Sequence, residues 1–287
     1  MLPFNKLLDS RYIVTKMIAV GGMAEIYECH DTFTRRTVAM KILKEATTNF
    51  ENVESFKNEV RLASAFNDAH VFKIFNVGSI DARPYMTYEI LNGKTMKEVL
   101  DERGSFDSDE AIDYMIQIAS TVRLIHSHEI THNDLKPDNL MLLHDGIIKV
   151  VDFGIATRCL EPAKTHLFGS AQYLDPDVIL SKTYTKQSDI YSLGIILFEF
   201  VTGKTPFMKC NSREEMKAHL NEEIQSISDI GNIKHSKQLD KIVRKATCKN
   251  KKERYQSVDE MLDDLLEIKS KNKDNQKGMF SRLFHNR

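Results

Sequence analysis

Short apolar runs, rich in β-branched and aromatic residues, mark the start of the chain. Tyr12 to Val20, Glu25 to His30 and Thr37 to Leu43 each have the length and composition of a strand. Gly21-Gly22 separates the first two, which predicts a hairpin turn. The period then changes. Asn52 to Phe66 sets Val53, Phe56, Val60 and Ala63 at helical spacing and predicts one helix. Val71 to Gly78 and Pro84 to Ile90 return to strand character.

Beyond Asn92-Gly93 the pattern is mostly helical. Asp107 to His128 places Ile112, Met115, Ile116, Ala119, Val122 and Ile125 on one face, with Asp107 or Ser108 as the N-cap. A loop and short strands occupy Ile130 to Val151. Further helical segments start at Asp189, Arg213, Lys237 and Val258. Strands first and helices later predict an α+β, two-lobed chain without internal repeats.

Composition adds limits. The 287 residues are 41% apolar, enough for sizeable cores. A net charge of −1 makes no case for nucleic acid as a partner. Cys29, Cys159, Cys210 and Cys248 are scattered with no CxxC pair, which suits free thiols in a reducing cytoplasm. The opening MLPFNKLLDSRY lacks the apolar core of a signal peptide. The longest apolar stretch, Leu193 to Val201, is interrupted by Glu199 and falls short of the roughly 20 residues that span a bilayer. A cytoplasmic protein without a transmembrane segment is therefore expected.

Residues 269–287 change in character: six Lys or Arg stand against Asp274 alone. The reading favoured here is a basic, flexible, solvated tail. A sharper one is contact with an anionic membrane surface through Met279, Phe280, Leu283 and Phe284 beside those cations.

The strongest chemical signal is His132-Asn133-Asp134-Leu135-Lys136-Pro137-Asp138-Asn139, followed by Asp152-Phe153-Gly154. Phosphoryl transfer needs a positioned metal, neutralised charge and an oriented nucleophile more than covalent help. Asp134 suits a base for a hydroxyl proton, and Asn139 and Asp152 suit metal ligation. A hairpin turning near Asp145-Gly146 is expected to bring the three together.

Taken together at this spacing, these motifs resemble the protein kinase family. The resemblance covers roughly residues 11 to 268 and implies a small β-rich N-lobe (11–91), a larger helical C-lobe (92–268) and ATP in the cleft. Val38-Ala39-Met40-Lys41 resembles the third-strand motif whose lysine contacts the α- and β-phosphates, and Glu59 is its candidate helix partner. The family pattern further implies nucleotide contacts from Ile18, Ala19, Val20, Gly21, Gly22, Met23, Ala24, Glu25 and Ile26, from Ala39, from Glu89 and Leu91 at the hinge behind Tyr88, and from Met141 under the adenine. Lys136 resembles the lysine of serine/threonine rather than tyrosine kinases, and Ser170 the hydroxyl that bonds the base and that lysine.

Asp175-Pro176-Asp177 stands where the family has Ala-Pro-Glu, and Arg254 resembles that acid's ion-pair partner. Asp189 resembles the buried acid at a helix start that supports the catalytic loop. The wording around these motifs is similar to bacterial Hanks-type kinases, which often carry membrane-tethered PASTA repeats; no such extension is expected here. The implied activity is transfer of the γ-phosphate of ATP, with magnesium or manganese, to Ser/Thr of protein substrates, with autophosphorylation. N-lobe homodimerisation is a habit of the family that these residues do not reveal.

Two departures stand out. The glycine-rich frame reads Ala19-x-Gly21-x-x-Ala24, which predicts weaker nucleotide binding than glycines would give. Asn133 replaces the arginine that receives an activation-loop phosphate, so Thr165, between Lys164 and His166, is not expected to need phosphorylation. A pseudokinase would explain both departures, but Lys41, Glu59, Asp134, Lys136, Asn139 and Asp152 are all present. A small-molecule phosphotransferase shares the His-x-Asp…Asn core but would lack Asp175-Pro176-Asp177 with Arg254. The cluster His126, His128 and His132 lacks complementary ligands for a metal, and His132 is better read as packing against Phe153.

Overall fold

The computed structural model describes residues 1–159 and 167–284, with backbone alone from residue 272. Thr165, its neighbours Lys164 and His166, and the side chains of Met279, Phe280, Leu283 and Phe284 lie outside the described residues. The chain forms two compact units. One comprises Met1–Gly93 with Met141–Ala156, the other Lys94–Leu140 with the chain from Thr157 onward. Strands dominate the first and helices the second, as the α+β pattern predicts.

The first unit is a six-stranded antiparallel sheet in the order β1 (Leu7–Leu8), β2 (Tyr12–Val20), β3 (Ala24–Asp31), β4 (Arg36–Leu43), β6 (Arg83–Tyr88), β5 (Ile74–Ile80). Alternation sends Tyr12, Val14, Tyr27, Cys29, Val38, Met40 and Ile42 into one buried cluster with Tyr85. The fifth strand starts at Ile74 rather than Val71, because Val71 makes only an isolated parallel bridge to Val150. Helix α1 (Phe50–Ala63) is capped by the Asn49 side chain, which accepts the N–H of Asn52 at 2.9 Å. It buries Phe56, Glu59, Leu62 and Ala63.

Strand β7 (Gly93–Thr95) precedes α2 (Met96–Arg103), a short helix that the apolar pattern does not predict. Its start is legible in the capping box of Thr95 and Glu98. The long helix α3 (Ser108–Ser127) has Asp107 as its N-cap. Its buried face runs through Ile118 where Ile116 was expected; Ile116 is only half-buried. Strand β8 (Ile130–Thr131) and the hairpin β9 (Leu140–Leu143) and β10 (Ile148–Val150) follow. β11 (Thr157–Arg158) pairs antiparallel with β8 inside the second unit.

The second unit is built on α5 (Lys186–Thr202), buried at every position from Ser188 to Val201. Such a helix must be enclosed by others. α3 packs on it, as do α7 (Ser236–Ala246) and α8 (Val258–Phe284), while α4 (Pro176–Ser181) packs on α6 (Ser212–Asn221). Among the described residues no helix is long and apolar enough to cross a membrane.

His219 of α6 is enclosed between Tyr191, whose hydroxyl shares a 2.8 Å hydrogen bond with Nδ1, and Phe207, whose ring meets it edge-on. Burial pushes its imidazole down to about 4 from an ordinary 6.5. Between those pH values the unfolded chain binds more protons, so stability falls as pH drops, by about 1.4 kcal/mol per unit for this group. In urea titrations, lowering the pH from 7 to 4 should cost the wild type about 3 kcal/mol more than it costs His219→Gln. Equal losses would show that His219 is not held neutral.

Candidate active site

In the first unit, β4 presents Lys41 from an otherwise buried run, Val38 to Leu43. Its Nζ donates to both oxygens of Glu59, at 2.8 and 2.7 Å. Glu59 is 2% exposed on the inner face of α1. Burial works against charge on Lys41, but the carboxylates of Glu59 and Asp152 outweigh it and hold the ammonium above its ordinary value.

Asp152 follows β10 at φ +66°, a left-handed conformation that short polar side chains tolerate better than others. Its Oδ1 accepts the N–H of Gly154 at 3.1 Å. Phe153 is fully buried against Phe66 and Phe72, with centroids 5.7 and 6.3 Å away. Phe72 also meets Tyr88 edge-on at 5.5 Å, and burial pushes the Tyr88 phenol up to about 12.

Glu89 after Tyr88 is anchored by two contacts. Its Oε1 accepts from Lys149 Nζ at 2.9 Å and from the Lys73 N–H at 2.9 Å. Lys149 is buried between Ile148 and Val150, and its role is not apparent from the sequence. The available signal is a lone cation inside an apolar strand, which demands a partner. Ala39 is buried, while Leu91 and Met141 are half-buried.

The β2–β3 turn is closed by Gly21 N–H donating to the Ala24 carbonyl at 2.9 Å. Ala19 pairs with Ile26 and Val20 with Glu25 across it, and Ile18 is exposed beside a register shift. Met23 is half-buried. The Glu25 side chain turns into the unit, where Arg83 donates to it at 3.1 Å and the Tyr27 hydroxyl at 2.9 Å. Neither glycine is left-handed. A Cβ on Gly22 would meet nothing within 4 Å, and one on Gly21 only the Ala24 carbonyl at 3.6 Å. The turn itself does not demand glycine; the absence of side chains that would keep an anion away from the backbone gives the pair a reason.

In the second unit, the Asp134 carboxylate is held by four donors. Ser170 N–H and Oγ each reach Oδ1 at 3.1 Å. Lys136 Nζ, at 2.8 Å, and Asn139 Nδ2, at 3.0 Å, reach Oδ2. Lys136 also donates to Ser170 Oγ at 2.8 Å, so base, lysine and hydroxyl form one network. Asn139 Nδ2 is committed to Asp134, which leaves its amide oxygen as the atom suited to a metal.

The loop behind Asp134 hangs on Asp189 in the first turn of α5. Its carboxylate accepts the N–H groups of His132 and Asn133 at 2.9 and 2.8 Å and pairs with His126 Nε2 at 2.8 Å. Burial alone would raise the Asp189 carboxyl, but His126 and the loop donors hold it below its ordinary value. His126, considered as a metal ligand from sequence, thus orients a carboxylate. Asn133 donates its amide to Thr157 Oγ1 at 2.9 Å, and Thr157 shares a 3.0 Å hydrogen bond with Thr131.

Arg254 is fully buried and meets Asp175 at 3.0 Å, with Asp177 at 3.9 Å. The motif pointed to the acid at 177; the contact falls mainly on Asp175, because aspartate at 177 is one methylene shorter than the family's glutamate. The guanidinium also donates to the carbonyls of Cys248 and Gln187.

The sequence of this chain matches the family model of the protein kinase domain over residues 12–272. It is 37% identical over 273 residues to a probable serine/threonine-protein kinase PknB of Lactococcus lactis, covering 92% of this chain and 43% of that protein. It is 35% identical over 265 residues to the serine/threonine-protein kinase PrkC of Bacillus subtilis, covering 91% and 41%. Similarity to a probable serine/threonine-protein kinase of Clostridium acetobutylicum is 35% over 268 residues, covering 92% and 41%. The chain therefore spans less than half the length of these relatives.

The buried ion pair can be tested by stability. Asp175→Ala leaves a buried guanidinium short of its main partner and should destabilise the protein by about 3 kcal/mol. Asp177→Ala, removing a long and half-exposed contact, should cost under about 1 kcal/mol. Denaturant midpoints of the two variants check this; equal losses would reassign the partner.

Proposed function

This chain belongs to the protein kinase family, and from that premise we propose that it is an ATP-dependent serine/threonine protein kinase. The observation that carries the reading is the Asp134 carboxylate, oriented by Ser170, Lys136 and Asn139. Three polar side chains converge on one acid that a core would not otherwise tolerate half-buried.

Asp134 accepts the proton of a substrate Ser or Thr hydroxyl as that oxygen attacks the γ-phosphorus. The new O–P bond forms while the bond from γ-phosphorus to the bridging oxygen breaks, and ADP leaves. Lys136 supplies positive charge beside the base. Lys41, held by Glu59, binds the α- and β-phosphates as a fixed ammonium. The Gly21-Gly22 turn, bare of side chains, lets phosphate oxygens approach the backbone, and Glu89, Leu91, Ala39 and Met141 receive the adenine. Asn139 and Asp152 would each offer an oxygen to magnesium, or to manganese in its place, and the bound ion would neutralise phosphate charge. Free thiols and a need for ATP suit a cytoplasmic setting.

Asn133 supports a second element of the reading. Its neutral amide is committed to Thr157, and it offers no cation for a loop phosphate. The enzyme is proposed to work without phosphorylation of Thr165.

Incubation with γ-labelled ATP, magnesium and myelin basic protein should label serine and threonine. Asp134→Asn should lower kcat by about a thousandfold. Label transfer by Asp134→Asn at the wild-type rate would sink the assignment of the base. Separately, Thr165→Ala should keep kcat within about threefold of wild type; a collapse on every substrate would show that the loop does require its phosphate.

A further inference from the structure

Two side chains of α1 reach the residues that follow Asp152. Ser55 Oγ donates to the Gly154 carbonyl at 2.9 Å, and Asn58 Nδ2 donates to the Ala156 carbonyl at 2.7 Å. The donors are three apart in sequence and share one helix face. Neither caps the helix, a task performed by Asn49. Both are half-buried, in a helix whose neighbouring position carries Glu59.

The fit at these carbonyls is close. A Cβ on Gly154 would stand 3.1 Å from Ser55 Oγ and 3.1 Å from Asp152 Oδ1, tighter than ordinary packing. Asp152 itself is left-handed, a conformation that L residues keep only where their surroundings impose it. Phe153 is pinned by Phe66 and Phe72, but its ring does not fix the chain beyond it. The carbonyls of Gly154 and Ala156 are held from outside by Ser55 and Asn58.

We propose that Ser55 and Asn58 are positioning residues, forming a two-point clasp that ties α1 to Asp152–Ala156. The inference rests on the kinase reading of the site. Glu59 holds Lys41 from the same helix, so the clasp sets the phosphate-binding lysine and the metal-binding aspartate from one rigid element. Both donors are neutral. The clasp therefore works without a phosphate and is insensitive to salt, unlike a charged latch.

The test uses the whole chain and three variants. Asn58→Asp keeps the shape but sets a carboxylate oxygen against the Ala156 carbonyl. Ser55→Ala removes the other donor, and Ser55→Thr keeps its hydroxyl. kcat and the ATP KM are measured on myelin basic protein, and amide hydrogen exchange across residues 152–157 on the same preparations. Asn58→Asp and Ser55→Ala should each lower kcat about tenfold, with the ATP KM changed less than about threefold, and speed exchange about tenfold. Ser55→Thr should stay near wild type. Exchange and kcat within twofold of wild type in both Asn58→Asp and Ser55→Ala would overturn the proposal. So would a loss in Ser55→Thr equal to that in Ser55→Ala. A wild type that transfers no phosphate would defeat the kinase reading, and the exchange rates would still decide the clasp.

Discussion

The second unit depends on one buried carboxylate. Asp189 emerges from the first turn of a helix with no exposed side and takes the N–H groups of His132 and Asn133. Those donors belong to a loop that has no ladder of its own at that point, so leaving them unpaired in the interior would cost on the order of 1–3 kcal/mol each. His126 completes the shell from α3. The loop is thus suspended from the core helix, and the side chains that follow His132 and Asn133, namely Asp134, Lys136 and Asn139, inherit their direction from that attachment. A flexible loop could carry the same residues without fixing any of them.

The first unit solves the parallel problem with different means. A lysine in a strand and a glutamate in a helix neutralise each other where neither could stay charged alone. The second buried cation, Lys149, fastens the residue after Tyr88 in the same way. Lys41, Lys149 and Arg254 each meet a carboxylate, and each of these pairs joins elements distant in sequence.

Much of this was legible in the sequence, for definite reasons. β2, β3 and β4 show themselves as strand-length runs of β-branched and aromatic residues, which a sheet packed on a core favours. Asp134, Asn139, Asp152, Lys41 and Glu59 stand out because the chemistry proposed for them needs specific residue types at set intervals. Less visible were contacts whose residue types are ordinary. Ser55, Asn58, Thr157 and Lys149 look like surface polar residues until the chain is folded. Helix α2 escaped notice because eight residues hold too little apolar period. Asp175 rather than Asp177 as the main partner of Arg254 turned on a side-chain length of one methylene, which spacing alone does not resolve.

The Arg254–Asp175 pair also bears on how the chain is made. Its partners are 79 residues apart. Contacts of that span form late, because the intervening loop must be closed before they return any energy. On the ribosome, Asp175 leaves the tunnel well before Arg254 has been synthesised. The short helix α4 and the stretch joining it to Ser170 therefore wait, partly assembled, until residue 254 has been made. A chain built this way completes the segment from Ser170 to α4 only once Arg254 has emerged to meet Asp175, and a chain truncated before residue 254 would be born without that anchor.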